Sequence, residues 1–195
     1  MTIKNKFPKN AKRVFKGEIF EVWQWPQKMY DGSKETFEML KRPDTAQVIP
    51  VIDDKILILI QKQPDSPKAF YSLAGGRREK DETALNAAKR ELLEETGYVA
   101  RDWQLFKKIS PAGKIVWTIH TYIARDCIYW QPPHLDAGEK ITTKLISFDE
   151  FLSLADEPAC AGRPDFYELE LVNYMLRARA DKKIYKKFHK LLFKK

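Results

Sequence analysis

The densest apolar stretch of this chain lies between Thr45 and Ile60. It holds two runs, QVIPVI and KILILI, split by Asp53-Asp54. The pair predicts two strands, the second so apolar that both its faces must be buried. Pro50 inside the first run predicts an edge position or a bulge, because proline cannot donate to a ladder. Upstream, aromatic-rich runs (GEIFEVWQW and ETFEMLK) flank Asp31-Gly32, which predicts a hairpin. Residues 1–16 read as a loosely held arm. Downstream, residues 61–69 read as a loop, and FYSLA as a short strand running into Gly75-Gly76. A helix is predicted from Glu82 to Thr96, with Asp81 as N-cap and Gly97 as the left-handed stop. Ile115 to Ala124 and Ile141 to Ser147 read as strands. Ser147 and Glu150 have capping-box spacing before a short helix. Pro164 is placed to open a longer helix from Asp165 to Ala180, with Leu169, Val172 and Leu176 inward. Beyond it, Ile184, Phe188, Leu191 and Leu192 form one stripe, with lysines opposite.

Strands alternating with helices predict an α/β fold, a mixed sheet covered by helices on both sides. The expected organisation is a basic arm and small β-rich N-terminal extension (1–42), a central α/β domain (43–181), and a basic helical tail (182–195).

Composition narrows this picture. A chain of 195 residues with 44% hydrophobic content can bury one real core. No stretch approaches the length of a membrane span, and the first residues lack the apolar run of a secretory signal. Cys127 and Cys160 form no CxxC pair, so the expectation is an intracellular, cytoplasmic protein with reduced thiols and no zinc site. The net charge of +8 is unevenly spread: residues 182–195 carry seven lysines and residues 1–16 six lysines or arginines, neither with an acid, which leaves −5 for residues 17–181. Basic ends can touch nucleic acid or an acidic partner, or can be solvated tails.

The candidate chemistry sits in the helix before Gly97. With about 100° per residue, Glu95 lies about 40° from Glu91 on one side and Glu94 about 60° on the other. Like charges four apart repel by about 0.2–0.5 kcal/mol unless a cation sits between them. Ala84 and Ala87 lie on the same face and let another segment or a phosphate come close. Arg90 and Glu94, also four apart, can pair. Gly75-Gly76 permits a tight backbone path that could bring the Ala74 carbonyl to the same ion. Carboxylates plus a carbonyl make an all-oxygen site suited to Mg²⁺ or Mn²⁺.

Gly76, Glu82, Arg90-Glu91-Leu92, Glu94-Glu95 and Gly97 resemble the Nudix box, GX5EX7REUXEEXGU, with Tyr98 where an aliphatic residue is usual. The resemblance implies a Nudix α/β/α sandwich that hydrolyses a nucleoside diphosphate linked to another moiety, with Mg²⁺ as cofactor. It implies Glu91 and Glu95 as principal metal ligands, Glu94 as a further ligand or base, Arg90 as its orienting partner and Glu82 as a supporting carboxylate. Residues 43–52, Ser72–Gly76, Ser110–Gly113 and Leu135–Ile141 are similar to segments of the ADP-ribose and ADP-sugar pyrophosphatases. That likeness implies Glu139 as general base, Gly75 and Gly76 beside the diphosphate, and a nucleotide-sugar substrate. Leu73 stands where that branch has proline, and Gln63-Pro64 where it often has arginine. Trp23, Trp25, Tyr30 and Phe37 can stack a nucleobase, held by the partner subunit of a homodimer, or can be ordinary packing. The alternatives are a Nudix enzyme of another nucleotide (dinucleoside polyphosphate or nucleoside triphosphate), an RNA-cap-type hydrolase, and a non-catalytic nucleotide-sensing domain that contacts nucleic acid.

Overall fold

The structure, a computed structural model, describes residues 7–64, 68–110, 113–156 and 166–194, without the side chains of residues 166–169. The middle of the 61–69 loop, Pro111-Ala112, Cys160, and the expected helix start at Pro164 and Asp165 lie outside them.

Residues 12–16 are not part of a loose arm. They form β1 (Lys12–Lys16), which pairs antiparallel with β2 (Glu21–Lys28). β2 turns through Gly32, at φ 88°, into β3 (Lys34–Lys41), so the expected hairpin is present. β10 (Ile115–Val116) joins this sheet beside β3 and gives the order β1-β2-β3-β10.

The second sheet is mixed and carries the core. Its path is β13-β5-β4-β11-β9, built from β4 (Thr45–Ile52), β5 (Lys55–Lys62), β9 (Asp102–Ile109), β11 (Ile119–Arg125) and β13 (Lys140–Ile146), while β8 (Tyr98–Val99) and β12 (Ile128–Tyr129) form a separate antiparallel pair. β4 and β11 run parallel, while β13–β5 and β11–β9 are antiparallel. β5 turns its Ile56 and Ile58 to one face and its Leu57 and Leu59 to the other, all four at or below 1% exposed. Burial on that scale stabilises by about 1.5–3 kcal/mol per side chain.

Pro50 is a correction, because β4 is a central strand. Its first half pairs with β7 (Ala74–Arg77) at residues 45–48, and its last two residues pair with β5. Pro50 falls between these two partners, where the ladder is interrupted and a missing donor costs little. The chain reaches β7 from β6 (Phe70–Ser72), which pairs with β5, by crossing from one strand to the next at Leu73. The predicted strand over 115–124 is also divided. Trp117 Nε1 donates to Thr45 Oγ1 (3.0 Å) and the Thr118 N–H to Asp44 Oδ1 (2.9 Å), which steers the chain from one sheet to the other.

Helices cover both faces of the main sheet. α1 (Ala84–Thr96) buries Ala87, Ala88 and Leu92 against Ala46, Val48, Leu57 and Leu59. Opposite lie α2 (Phe148–Ser153, with the expected Ser147–Glu150 capping box), α3 (Phe166–Ala180) and α4 (Lys182–Leu192). The inner face of α3 is Leu171, Met175 and Ala178, and Leu176, expected inward, is 40% exposed. α4 is not a free tail. Phe188 and Leu192 are fully buried, and Arg125 donates to the carbonyls of Leu192 (3.0 Å) and Leu191 (2.5 Å) at its C-terminal end. Those carbonyls have no partner within the helix, so a buried guanidinium satisfies them. The arrangement is an α/β/α sandwich with a small β-sheet beside it. Among the described residues no helix is long and apolar enough to cross a membrane.

Candidate active site

α1 begins later than predicted. Asp81 adopts φ 63° and stays outside the helix. Thr83 is the N-cap, its Oγ1 accepting from the Asn86 N–H at 3.1 Å. Glu82 is therefore left free to fold back, accepting from the Glu79 N–H (3.0 Å) and from Arg90 Nε (3.1 Å). At the other end Gly97 takes φ 75° and its N–H caps the Leu93 carbonyl (2.8 Å), as expected.

Arg90 organises the acids. Its Nη1 donates to Glu91 Oε1 and Glu94 Oε2, both at 2.9 Å, and its Nη2 donates to the Arg77 carbonyl at 2.9 Å. The expected Arg90–Glu94 pair is thus present, with Glu82 and Glu91 sharing the same guanidinium. Burial lowers the Arg90 pKa, but the bonds to these three glutamates outweigh it and hold the guanidinium firmly protonated.

Glu95 lies deeper, 6% exposed, and accepts the Gly75 N–H at 2.7 Å. Gly75 and Gly76 are strand residues of β7, and neither has positive φ. What demands glycine there is proximity. A Cβ at Gly75 would lie 2.7 Å from Gln47 Cα, and one at Gly76 would lie 2.6 Å from Glu91 Cδ. The strand thus lies directly on the carboxylate face of α1.

Glu139 reaches the same place from the segment before β13. Its charge raises the pKa of both Glu91 and Glu95. The segment is tied to the C-terminal end of α1 by Trp130 N–H to Gly97 O and His134 N–H to Glu94 O, both 2.8 Å. Burial pushes Glu91 up to about 7, opposed by Arg90 and assisted by Glu94 and Glu139. Burial pushes Glu95 up to about 9, opposed by the Gly75 N–H and assisted by Glu91, Glu139 and Glu94. Glu139 is raised too, first by burial and then by Asp136 and Glu94. Charging all of these acids at once is unfavourable without added positive charge.

That electrostatic demand fits a divalent cation, and the donors are all oxygen. Glu91, Glu94 and Glu95 would hold it; Ala74, expected to add its carbonyl, is fully buried at the start of β7, and the trans peptide that turns the Gly75 N–H onto Glu95 turns the Ala74 carbonyl the other way. Among the described residues no three acidic, histidine or cysteine side chains are already closed into a metal cage. Arg90 occupies the interval between Glu91 and Glu94.

These residues share one cleft of about 930 Å³, with Gly75, Gly76, Glu91, Glu94, Glu95 and Glu139 on its wall. Arg42, Arg77, Arg78, Lys80 and His134 also line it. Sequence reasoning missed these five, although Arg77-Arg78 directly after the glycines was a legible signal. Trp23 and Trp25 are apart from the cleft. Trp23 stacks on Phe7 (centroids 4.9 Å), and Trp25, 7% exposed, packs on Phe37 at 5.0 Å. Their indole N–H groups go to Glu21 (2.8 Å) and Gln27 (3.0 Å). Of the four aromatics that could either stack a base or pack, three pack within the N-terminal sheet, and Tyr30 is fully exposed at the hairpin.

A family model described as NUDIX domain matches residues 41–169. The chain is 21% identical to the ADP-ribose pyrophosphatase of Bacillus subtilis (strain 168) over 173 residues, 87% of this chain and 94% of that protein. It is 20% identical to the ADP compounds hydrolase NudE of Escherichia coli (strain K12) over 172 residues, 87% and 89% of the two chains. A methanol dehydrogenase activator of Bacillus methanolicus is 27% identical over 151 residues, 75% and 81%. Among solved structures, that of an ADP compounds hydrolase superposes with a TM-score of 0.70 at 20% identity, over 87% of this chain and 90% of that one. With the box residues gathered on one cleft and the family model spanning most of the chain, the chain belongs to the Nudix family: it is a Nudix pyrophosphohydrolase that resembles the ADP-ribose pyrophosphatase branch.

Proposed function

We propose that this enzyme hydrolyses the diphosphate bond of a nucleoside diphosphate sugar, an ADP-sugar such as ADP-ribose, in a reaction that depends on Mg²⁺. The observation that carries this reading is the convergence of Glu139 with Glu91 and Glu95 on one cleft, with cationic side chains along the same wall. Likeness to an ADP-ribose pyrophosphatase and to an ADP compounds hydrolase supports the substrate class.

Bound by Glu91, Glu94 and Glu95, Mg²⁺ would neutralise charge on the diphosphate and make a water more acidic. Arg77, Arg78 and Lys80 attract the diphosphate, and the bare backbone of Gly75 and Gly76 lets it lie close to α1. Glu139, its pKa raised by burial, accepts a proton from the attacking water. The new P–O bond forms in line as the bridging P–O bond breaks, and the departing phosphate takes the electron pair. Arg90 keeps Glu82, Glu91 and Glu94 in register throughout. From ADP-ribose the products are AMP and ribose 5-phosphate.

A homodimer is part of this reading. β1 is an edge strand exposed along its whole length, with Val14 at 54% and Phe15 at 57%, and such a strand invites pairing. The test of the function is a panel of nucleoside diphosphate sugars, dinucleoside polyphosphates and nucleoside triphosphates with Mg²⁺, run on the native chain and on Glu95→Gln. ADP-sugars should be cleaved best, and the variant should lose at least about 10²-fold in kcat. Faster turnover of a triphosphate, or native turnover by the variant, would refute the proposal.

A further inference from the structure

The cleft does not end at the carboxylates. Past Arg42, Pro43 and Arg78 it opens into a second lobe of about 660 Å³, on the seam between the small sheet and the main sheet. Its cations are Lys16, Lys41, Arg42, Arg78, Lys80 and Lys108, facing four acids. Two of those acids are already committed. Glu21 accepts from Arg13 (3.0 Å) and Trp23 (2.8 Å), and Asp44 accepts the Thr118 N–H (2.9 Å) and faces Arg78 at 4.0 Å. Among the described residues Lys16, Lys80 and Lys108 have no carboxylate within ion-pair distance. Behind this wall His120 sits beside Lys108 in register, 9% exposed, and its Nδ1 has no hydrogen-bond partner among the described residues.

Uncompensated positive charge in a concave seam focuses potential outward and selects an anion. Several amines converging from different strands suit a phosphate, which offers several acceptor oxygens at once. The first cleft alone has room for a nucleotide-sized ligand. The second lobe is continuous with it, so its occupant can be attached to the same substrate.

We propose that the second lobe binds a phosphate that the substrate carries beyond the scissile diphosphate. The preferred substrates are then nucleoside diphosphate sugars that carry a further phosphoryl group on a sugar. This deepens the pyrophosphohydrolase reading and rests on it for turnover, but not for binding.

The test therefore begins with binding. Calorimetry on the full chain compares adenosine 2′,5′-bisphosphate with AMP, in native protein and in Lys16→Glu/Lys108→Glu, with Lys16→Gln/Lys108→Gln as a milder pair. The native chain should bind the bisphosphate about tenfold tighter than AMP, from two screened charge contacts. The doubly reversed variant should bind the two equally, with an unchanged melting temperature. Steady-state kinetics then carry the test to substrates: a lower KM for ADP-ribose 2′-phosphate than for ADP-ribose is expected, and a lower KM for a dinucleoside tetraphosphate than for either overturns the assignment to a sugar phosphate. Equal affinity for AMP and the bisphosphate in the native chain overturns the proposal, as does a preference that survives in both variants. A bisphosphate preference without hydrolysis of any nucleotide supports the lobe and counts against the pyrophosphatase reading instead.

Discussion

Replacing Gly75 and Gly76 singly with alanine should have opposite consequences, although the two residues are adjacent. At Gly75 the added methyl lies 2.5 Å from the Ala46 carbonyl oxygen and 2.7 Å from Gln47 Cα. Both belong to the backbone of β4, the strand paired on both sides at the centre of the sheet. Backbone there cannot yield without opening ladders, so Gly75→Ala should cost about 3 kcal/mol, at the upper end of overpacking. For a chain of this length that lowers Tm by about 6–12 °C. At Gly76 the methyl meets Glu91 Cδ at 2.6 Å and Oε2 at 2.8 Å, the far end of a side chain with rotatable bonds. Glu91 can rotate away for about 1 kcal/mol, a Tm change of about 2–4 °C. Its carboxylate then leaves Arg90 and the cation site, and turnover should fall by at least the roughly 10–100-fold lost when only the outer partner of a metal ligand is removed. The assay is thermal melting in EDTA and in Mg²⁺, together with turnover of an ADP-sugar. A Gly75→Ala protein as stable as the native chain, or a Gly76→Ala protein with native turnover, would refute the reasoning.

Three further outcomes are expected. Glu91 and Glu95 have folded pKa values raised to about 7 and about 9 without a cation, so the folded state holds protons that the unfolded chain loses near pH 4.3. In EDTA, stability should therefore decline as pH rises from about 4.3 through 9, and Mg²⁺ should raise Tm more at pH 9 than at pH 5; melts across pH that run parallel with and without Mg²⁺ would contradict this. Glu139→Gln should cut kcat by about 10²–10⁴-fold, with KM and Tm near native values; steady-state kinetics check it, and an unchanged kcat removes Glu139 as the base. Phe188→Ala should cost about 3–5 kcal/mol, because its ring is fully buried among Phe106, Phe148 and Tyr174; denaturant unfolding measures it, and a loss below about 1 kcal/mol would restore the terminal helix to a detachable tail.

The parts legible from sequence were those that local pattern determines. Dense apolar runs identified β4 and β5, Asp31-Gly32 identified the hairpin, and Gly97 identified the end of α1. Glu91, Glu94 and Glu95 could be grouped because helical spacing alone puts them together. What escaped depended on long-range geometry. Asp81 and Thr83 are both capping residue types two positions apart, and only the backbone turn at Asp81 decides between them. Pro50 looked like an edge residue or a bulge because no sequence pattern reveals that β4 changes partners at that point. β9, DWQLFKKI, lacks clean alternation and owes its existence to pairing with β11. The lysine-rich end looked solvated because Arg125, which pins its carbonyls, lies far away in the chain. Gly75 and Gly76 were identified, but for a tight backbone path, whereas the structure needs them as strand residues that allow close approach.

The account stands on a divalent cation held by the acids of α1 beside β7. Diffraction from crystals soaked in Mn²⁺, with data collected at its absorption edge, tests this most directly. An anomalous peak between Glu91 and Glu95, absent in crystals of Glu95→Gln, is the expected result. Density that shows no peak on that face at saturating Mn²⁺, with Glu91 and Glu95 unmoved, would contradict it.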